Sequence, residues 1–169
     1  LLLSSCESPS SDRNNDESEV IDMDKDGVEA ELDCDDNDPN TFPGIAVNEA
    51  DLTLCMTDAD GDGYGSLTPA EGVTAGTDCD DSLANTFPGS AEKEADPSQC
   101  RTDHDGDGYG MRTINSDSGI MWGTDCDDTD ALISPGTEES AYDDIDNDCD
   151  WRTPDDDGDS DGYSDEDEA

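Results

Sequence analysis

The sequence of 169 residues predicts a mostly irregular fold: tandem loop repeats with short β-hairpins, one disulfide per repeat, and a small hydrophobic core or none. Three observations predict it. Apolar side chains are too few for an ordinary core, the cysteines are regularly spaced, and an Asp-Gly pattern recurs in register with them.

The apolar deficit comes first. Leu, Ile, Val and Phe make up 21 of the 169 residues, against 50 Asp plus Glu and only 6 Lys plus Arg, for a net charge of −44. Composition of this kind predicts disorder unless another source of folding energy exists. A compact chain with this charge repels itself, so bound cations are the alternative. The acids recur at fixed offsets with glycines between them, which is ligand geometry rather than a charge brush. Nucleic acid is excluded as a partner, because phosphate binding needs clustered Lys and Arg.

Six of the seven cysteines pair at separations of 21, 21 and 23 residues, as Cys34–Cys55, Cys79–Cys100 and Cys126–Cys149. Sequence alone leaves other connectivities open. Zinc is poorly supported, since there is no C-x-x-C and the only histidine is His104. Disulfides place the protein in an extracellular or cell-surface setting. The remaining cysteine, Cys6, follows Leu1-Leu2-Leu3-Ser4-Ser5 and resembles the end of a bacterial lipoprotein signal, with a lipid anchor at Cys6. A retained Leu1–Leu3 packing against a neighbouring chain is the competing expectation. Residues 1–6 are thus the signal-like segment and residues 7–20 a polar tether.

Three repeats follow: 21–65, 66–110, and 111–169 with a terminal loop. Each opens or continues through Asp-Cys-Asp-Asp (Asp33 to Asp36, Asp78 to Asp81, Asp125 to Asp128). A Pro-Gly turn, a second cysteine and an Asp-Gly loop come after it. Pro-Gly suits the central positions of a type II turn. Short β-prone runs predict hairpins, 66–68 with 73–75 and 111–114 with 120–122. Short helices are expected near Ala46 to Ala50 and Ala91 to Ala95. Phe42, Phe87, Tyr64, Tyr109 and Trp122 are expected to form small clusters under the loops.

The loops carry the chemistry. D-x-D-x-D-G sets three carboxylates at positions 1, 3 and 5 around one point, a glycine at position 6 for the sharp turn, and a carbonyl at position 7. Four segments match: Asp22/Asp24/Asp26 with Val28, Asp58/Asp60/Asp62 with Tyr64, Asp103/Asp105/Asp107 with Tyr109, and Asp157/Asp159/Asp161 with Tyr163. This set of hard oxygens suits Ca²⁺. An acid at position 12 closes the shell, Asp33 in the first loop and Glu168 in the fourth, which also has Asp165 at position 9. In the second and third loops position 12 is Pro69 or Ile114. There the hairpin reads as an excursion, after which Asp78 and Asp125 close the shell. Asp35, Asp36, Asp80, Asp81, Asp127 and Asp128 are left for a second ion per repeat. Asp146, Asp148 and Asp150 form a candidate for one more. Several Ca²⁺ ions are therefore expected as cofactors.

These residues resemble the MopE-type metal-binding repeat of bacterial surface proteins and lipoproteins, roughly D-C-D-D, Pro-Gly, an acid, then D-G-x-D-N-D-C-D. The third repeat is most similar, from Asp125 through Asp150, with Asp144 in the usual Gly place and Trp151 where a Gly often follows. The first two repeats lack D-N-D-C-D. The D-x-D-G-D-G-Y-G segments also look like thrombospondin type 3 and dockerin-type calcium loops. The resemblance implies extracellular metal binding, usually of calcium, and no catalysis. The type member is associated with copper, whereas one histidine and many oxygens here favour Ca²⁺.

The expected function is a calcium-binding extracellular structural protein that self-assembles with copies of itself into a surface fibre or rod. The first loop lacks a preceding repeat and the last lacks a following D-C-D-D, an unfinished register that suits head-to-tail contacts. A monomeric cell-surface lipoprotein for metal binding or adhesion is the alternative. An enzyme is not expected: no nucleophile motif is visible, and His104 occupies the place that Ala59 holds in the loop before it.

Overall fold

A computed structural model describes residues 21–112 and 119–153. Cys6, the tether, the loop of Asp157, Asp159, Asp161 and Tyr163, Asp165 and Glu168 lie outside the described residues. No helix forms among the described residues, so none is long and apolar enough to cross a membrane.

The regular structure among the described residues is two small antiparallel sheets. Strand β1 (Thr41–Pro43) pairs with β2 (Cys55–Thr57), and β3 (Thr86–Pro88) pairs with β4 (Cys100–Thr102). The register is the same in both, with Thr41 opposite Thr57 and Thr86 opposite Thr102. Threonine suits a strand because its branched Cβ packs well on a pleated surface. Here its hydroxyl also matters. Thr41 and Thr57 share a hydrogen bond of 2.8 Å, and Thr86 and Thr102 one of 2.9 Å. Thr41 and Thr86 are almost wholly buried, so the centre of each of the first two repeats is a paired polar contact. The buried apolar residues among those described are few: Ala46, Met56, Ala91 and Cys149.

A disulfide links each D-C-D-D turn to the strand or turn beside it. Cys34–Cys55, Cys79–Cys100 and Cys126–Cys149 form, with Cα separations of 6.2, 6.5 and 5.6 Å. These are the pairs expected from the spacing. In the first two repeats the second cysteine opens a strand. In the third, no strand forms among the described residues, and a single bond from Ser134 N to Asn147 O (2.9 Å) takes that place.

Two local expectations need correction. The helices near Ala46 and Ala91 do not form. Each stretch makes one turn, closed by Glu49 N to Ala46 O (3.1 Å) and Glu94 N to Ala91 O (3.3 Å). The reason is competition for donors: Asn48 N bonds Gly63 O (2.7 Å) and Lys93 N bonds Gly108 O (2.8 Å) in the following loop. The hairpin after Gly65 is not a ladder either, and the one expected after Gly110 lies partly outside the described residues. Ser66 instead bridges Asp78, and Met111 bridges Asp125, both in the parallel sense. Residues 113–118 of the second excursion lie outside the described residues. The excursions return so tightly that a Cβ on Gly76 would strike the Gly65 backbone, and one on Gly123 the Gly110 backbone.

Successive repeats touch through aromatic rings. Tyr64 stacks on Phe87 of the next repeat, with ring centroids 4.8 Å apart and planes 18° from parallel. Tyr109 lies against Gly136 of the third repeat, where a Cβ would come within 3.0 Å of its hydroxyl. The chain is thus a row of small units, each resting on its neighbour.

Candidate metal centres

The second and third D-x-D-x-D-G segments begin where a strand pair ends. Asp58 follows β2 and donates its N–H to Asn40 O (2.9 Å); Asp103 follows β4 and donates to Asn85 O (3.0 Å). From there the loop winds around its own first carboxylate. Asp58 accepts from Gly61 N at 2.8 Å and Gly63 N at 3.0 Å, and Asp103 accepts from Gly106 N at 2.7 Å and Gly108 N at 2.9 Å. Asp22 does the same with Lys25 N (2.6 Å) and Gly27 N (3.2 Å). Positions 4 and 6 need left-handed backbone: φ is 82° and 90° at Gly61 and Gly63. Lys25 holds φ 69° in the first loop without being glycine.

Positions 3 and 5 repeat one geometry. Asp60 Oδ1 accepts from Asp62 N, and Asp62 Oδ1 from Tyr64 N at 2.7 Å. Asp105, Asp107, Asp24 and Asp26 are held alike. The carboxylate closing each loop is fixed by the residue two further on: Asp33 by Asp35 N, Asp78 by Asp80 N, Asp125 by Asp127 N, each at 3.0 Å. One oxygen of each of these position-3, position-5 and closing acids is therefore tied down.

The other oxygens have no partner. Buried and without a hydrogen bond are the Oδ2 atoms of Asp24, Asp26 and Asp33, of Asp60, Asp62 and Asp78, and of Asp105, Asp107, Asp125 and Asp128. They fall into three sets, one per described loop. Asp78 and Asp125 are each 1% exposed, so these oxygens have no access to water. An unpaired buried carboxylate oxygen is costly, and ten of them arranged in three clusters need positive charge.

The cations among the described residues do not supply it. Among the described residues one ion pair forms, Arg152 with Asp150 at 3.3 Å. Arg101 donates to the carbonyls of Trp122 and Asp96, Arg112 to that of Cys149, and Lys93 to that of Asp107. Burial pushes the carboxyls up. Asp78 rises to about 7, through desolvation first and then the neighbouring Asp62, Asp60 and Asp81. Asp62, Asp125 and Asp128 rise to about 6, with desolvation again the main cause. Asp24, Asp60, Asp81 and Asp105 are raised for the same reason.

The geometry groups the sequence candidates. Carboxylate oxygens of Asp58, Asp60 and Asp62 lie within 4.8 Å of one another, as do those of Asp60, Asp78 and Asp81. In the first loop the groups are Asp22, Asp24 and Asp36, and Asp24, Asp26 and Asp33. The acid pairs after the cysteines split. Asp36, Asp81 and Asp128 face the loop, where each accepts the N–H of position 2, from Met23, Ala59 and His104 respectively. Asp80 and Asp127 instead accept the hydroxyls of Ser82 and Thr129, and the Asp35 carbonyl turns the chain through Asp38 N. In the third repeat Asp146 is exposed, Asp148 accepts from Thr153 at 2.8 Å, and Asp150 pairs with Arg152.

Sequence reading missed three glutamates. Glu49 and Glu94 each accept three donors at one oxygen, joining the two ends of an excursion. Glu139 accepts from Asn147 N and Asp148 N, and its other oxygen is buried without a partner. The available signal was position: Glu49 and Glu94 each stand five residues after the Gly of Pro-Gly.

Three segments, 33–46, 78–96 and 125–153, match the MopE copper-binding family, described as "Putative metal-binding motif". No curated protein and no solved structure matches the chain. In the third segment Asp144, where the MopE-type repeat usually has Gly, takes the left-handed φ of 64°. The matched segments supply Asp33, Asp78 and Asp125, the closing acids of the three loops, and the chain is accordingly a repeat protein carrying the MopE-type metal-binding motif three times.

Proposed function

We propose that this chain is a calcium-binding extracellular structural protein, rigidified by the ion and without catalytic activity. The observation that carries the calcium reading is the convergence of orphaned Asp oxygens on the inside of each loop. The donors are carboxylates, with carbonyls available at Val28, Tyr64 and Tyr109. Among the described residues the cysteine sulfurs are paired, and the His104 ring is engaged with Asn85 at 2.9 Å. Hard oxygen donors in a flexible loop favour Ca²⁺ over Cu²⁺, which prefers imidazole and sulfur, and over Mg²⁺, which demands a smaller octahedral site. The loop of Asp157, Asp159, Asp161 and Tyr163 extends the same pattern.

The three disulfides support an oxidising, extracellular or surface setting, and a lipid at Cys6 would tether the chain there. Assembly into a fibre with copies of itself is the further part of this reading. It is supported by exposed Leu52, Leu67, Trp122 and Trp151.

Native mass spectrometry of the oxidised chain against Ca²⁺, Mg²⁺ and Cu²⁺ tests the ion. Several Ca²⁺ adducts at micromolar free ion are expected; Cu²⁺ uptake with no Ca²⁺ uptake would overturn the calcium reading. Electron micrographs in calcium test assembly: filaments are expected, and monodisperse monomers at high concentration would leave the surface lipoprotein as the better description.

A further inference from the structure

We infer that Glu49 and Glu94 are positioning residues for the second and third metal loops: they clasp the excursions shut so that Asp78 and Asp125 reach the ion. This rests on the metal reading of those loops.

The three loops share one path up to position 9. There the N–H bonds back to the carbonyl just before position 1: Ala30 to Ile21, Ser66 to Thr57 at 2.8 Å, and Met111 to Thr102 at 2.9 Å. The first loop then runs directly to Asp33 at position 12. The other two leave, and come back only at Thr77-Asp78 and Thr124-Asp125. Closing a detour costs chain entropy, and the closing acid must be held against strong repulsion from its own loop.

The clasp sits at this crossing. Glu49 Oε1 accepts from Gly65 N, where the excursion leaves, at 3.2 Å. The same oxygen accepts from Thr77 N at 2.6 Å and Thr77 Oγ1 at 2.8 Å, where it returns. Glu94 repeats the arrangement with Gly110 N at 3.2 Å, Thr124 N at 2.6 Å and Thr124 Oγ1 at 3.0 Å. Both glutamates stand on the turn that Pro-Gly begins, in the same repeat as the loop they clasp. One carboxylate oxygen thus ties exit, re-entry and turn together, immediately beside the residue whose orphaned oxygen faces the loop.

The test is calorimetric titration of Ca²⁺ into the full oxidised chain and its variants. Glu49→Ala is expected to weaken one class of sites by about tenfold or more, the effect of losing charge-assisted hydrogen bonds, while the first and third loops keep their affinity. Glu49→Gln still offers an acceptor oxygen and is expected to stay within about threefold of the parent. Deleting residues 67–75 puts Asp78 at position 12, as Asp33 is; in that background Glu49→Ala is expected to have no effect. Unchanged binding in Glu49→Ala overturns this inference alone. So does an equal loss at every site, which marks a general folding role, or a loss that persists in the shortened loop. A parent chain that binds no Ca²⁺ overturns the calcium reading and takes this inference with it.

Discussion

The first loop and the two that follow build one centre by different routes. Loop 22–33 closes on its own twelfth residue, and its acids are only partly buried. Loops 58–78 and 103–125 close after an excursion, and their closing acids are 1% exposed. The contrast shows that local spacing alone assembles the oxygens, while depth comes from long-range packing. Burial has two consequences: it strengthens attraction to a bound cation and raises the cost of leaving the site without one.

The largest expected difference between the two kinds of loop is in Asp78→Ala against Asp33→Ala. Removing the buried acid should cost about 4 kcal/mol of calcium-bound stability, the scale for breaking a buried charge pair, and Asp33→Ala distinctly less. Without metal the sign reverses for Asp78→Ala, because a repelling charge is gone. Chemical denaturation with and without calcium checks both halves.

Next is the covalent link. Cys79→Ala with Cys100→Ala opens a loop of 21 residues and should cost about 3 kcal/mol. It should also weaken the second loop, whose closing acid adjoins Cys79, while leaving the first loop's affinity unchanged; site-resolved titration reads this.

Protonation separates the loops as well. The folded carboxyls of Asp78, Asp62, Asp125 and Asp128 lie above the ordinary value of 3.8, at about 7 for Asp78 and about 6 for the others. The metal-free fold binds these protons more tightly than the unfolded chain. Its stability contribution is therefore complete below pH 3.8 and is lost as pH rises through 6 to 7. Thermal unfolding in chelator should show the metal-free chain more stable at acid than at neutral pH. Asp78→Asn should flatten that slope.

The smallest effect is at the contact between repeats. Tyr64→Leu removes the stack on Phe87 and should cost about 1 kcal/mol, seen as a modest fall in unfolding midpoint with calcium present.

Much of this was legible in the sequence. The D-x-D-x-D-G register fixed which acids meet, the cysteine intervals gave the disulfides, and the position of Asp33 implied that Asp78 and Asp125 close the longer loops. What failed was local inference where distant donors compete. The runs near Ala46 and Ala91 suit a helix by propensity, but Gly63 and Gly108 carbonyls take their N–H groups. The Thr-Phe-Pro strands were hidden because three residues carry no alternation, and their pairing depends on buried hydroxyls. Asp81 read as part of an acid pair, yet its contact is Ala59 N, 22 residues earlier. Glu49 reaches across 28 residues to Thr77, a span no local pattern announces.

In the proposed reading cations, not apolar packing, hold this acidic chain folded. Circular dichroism of the oxidised chain before and after EDTA, with calcium then added back in excess, tests it most directly. Chelation at neutral pH is expected to collapse the folded signal, and calcium to restore it. A signal unchanged by complete metal removal would rule out cations as the source of folding energy and leave the disulfides and the contacts between repeats as the support of the fold.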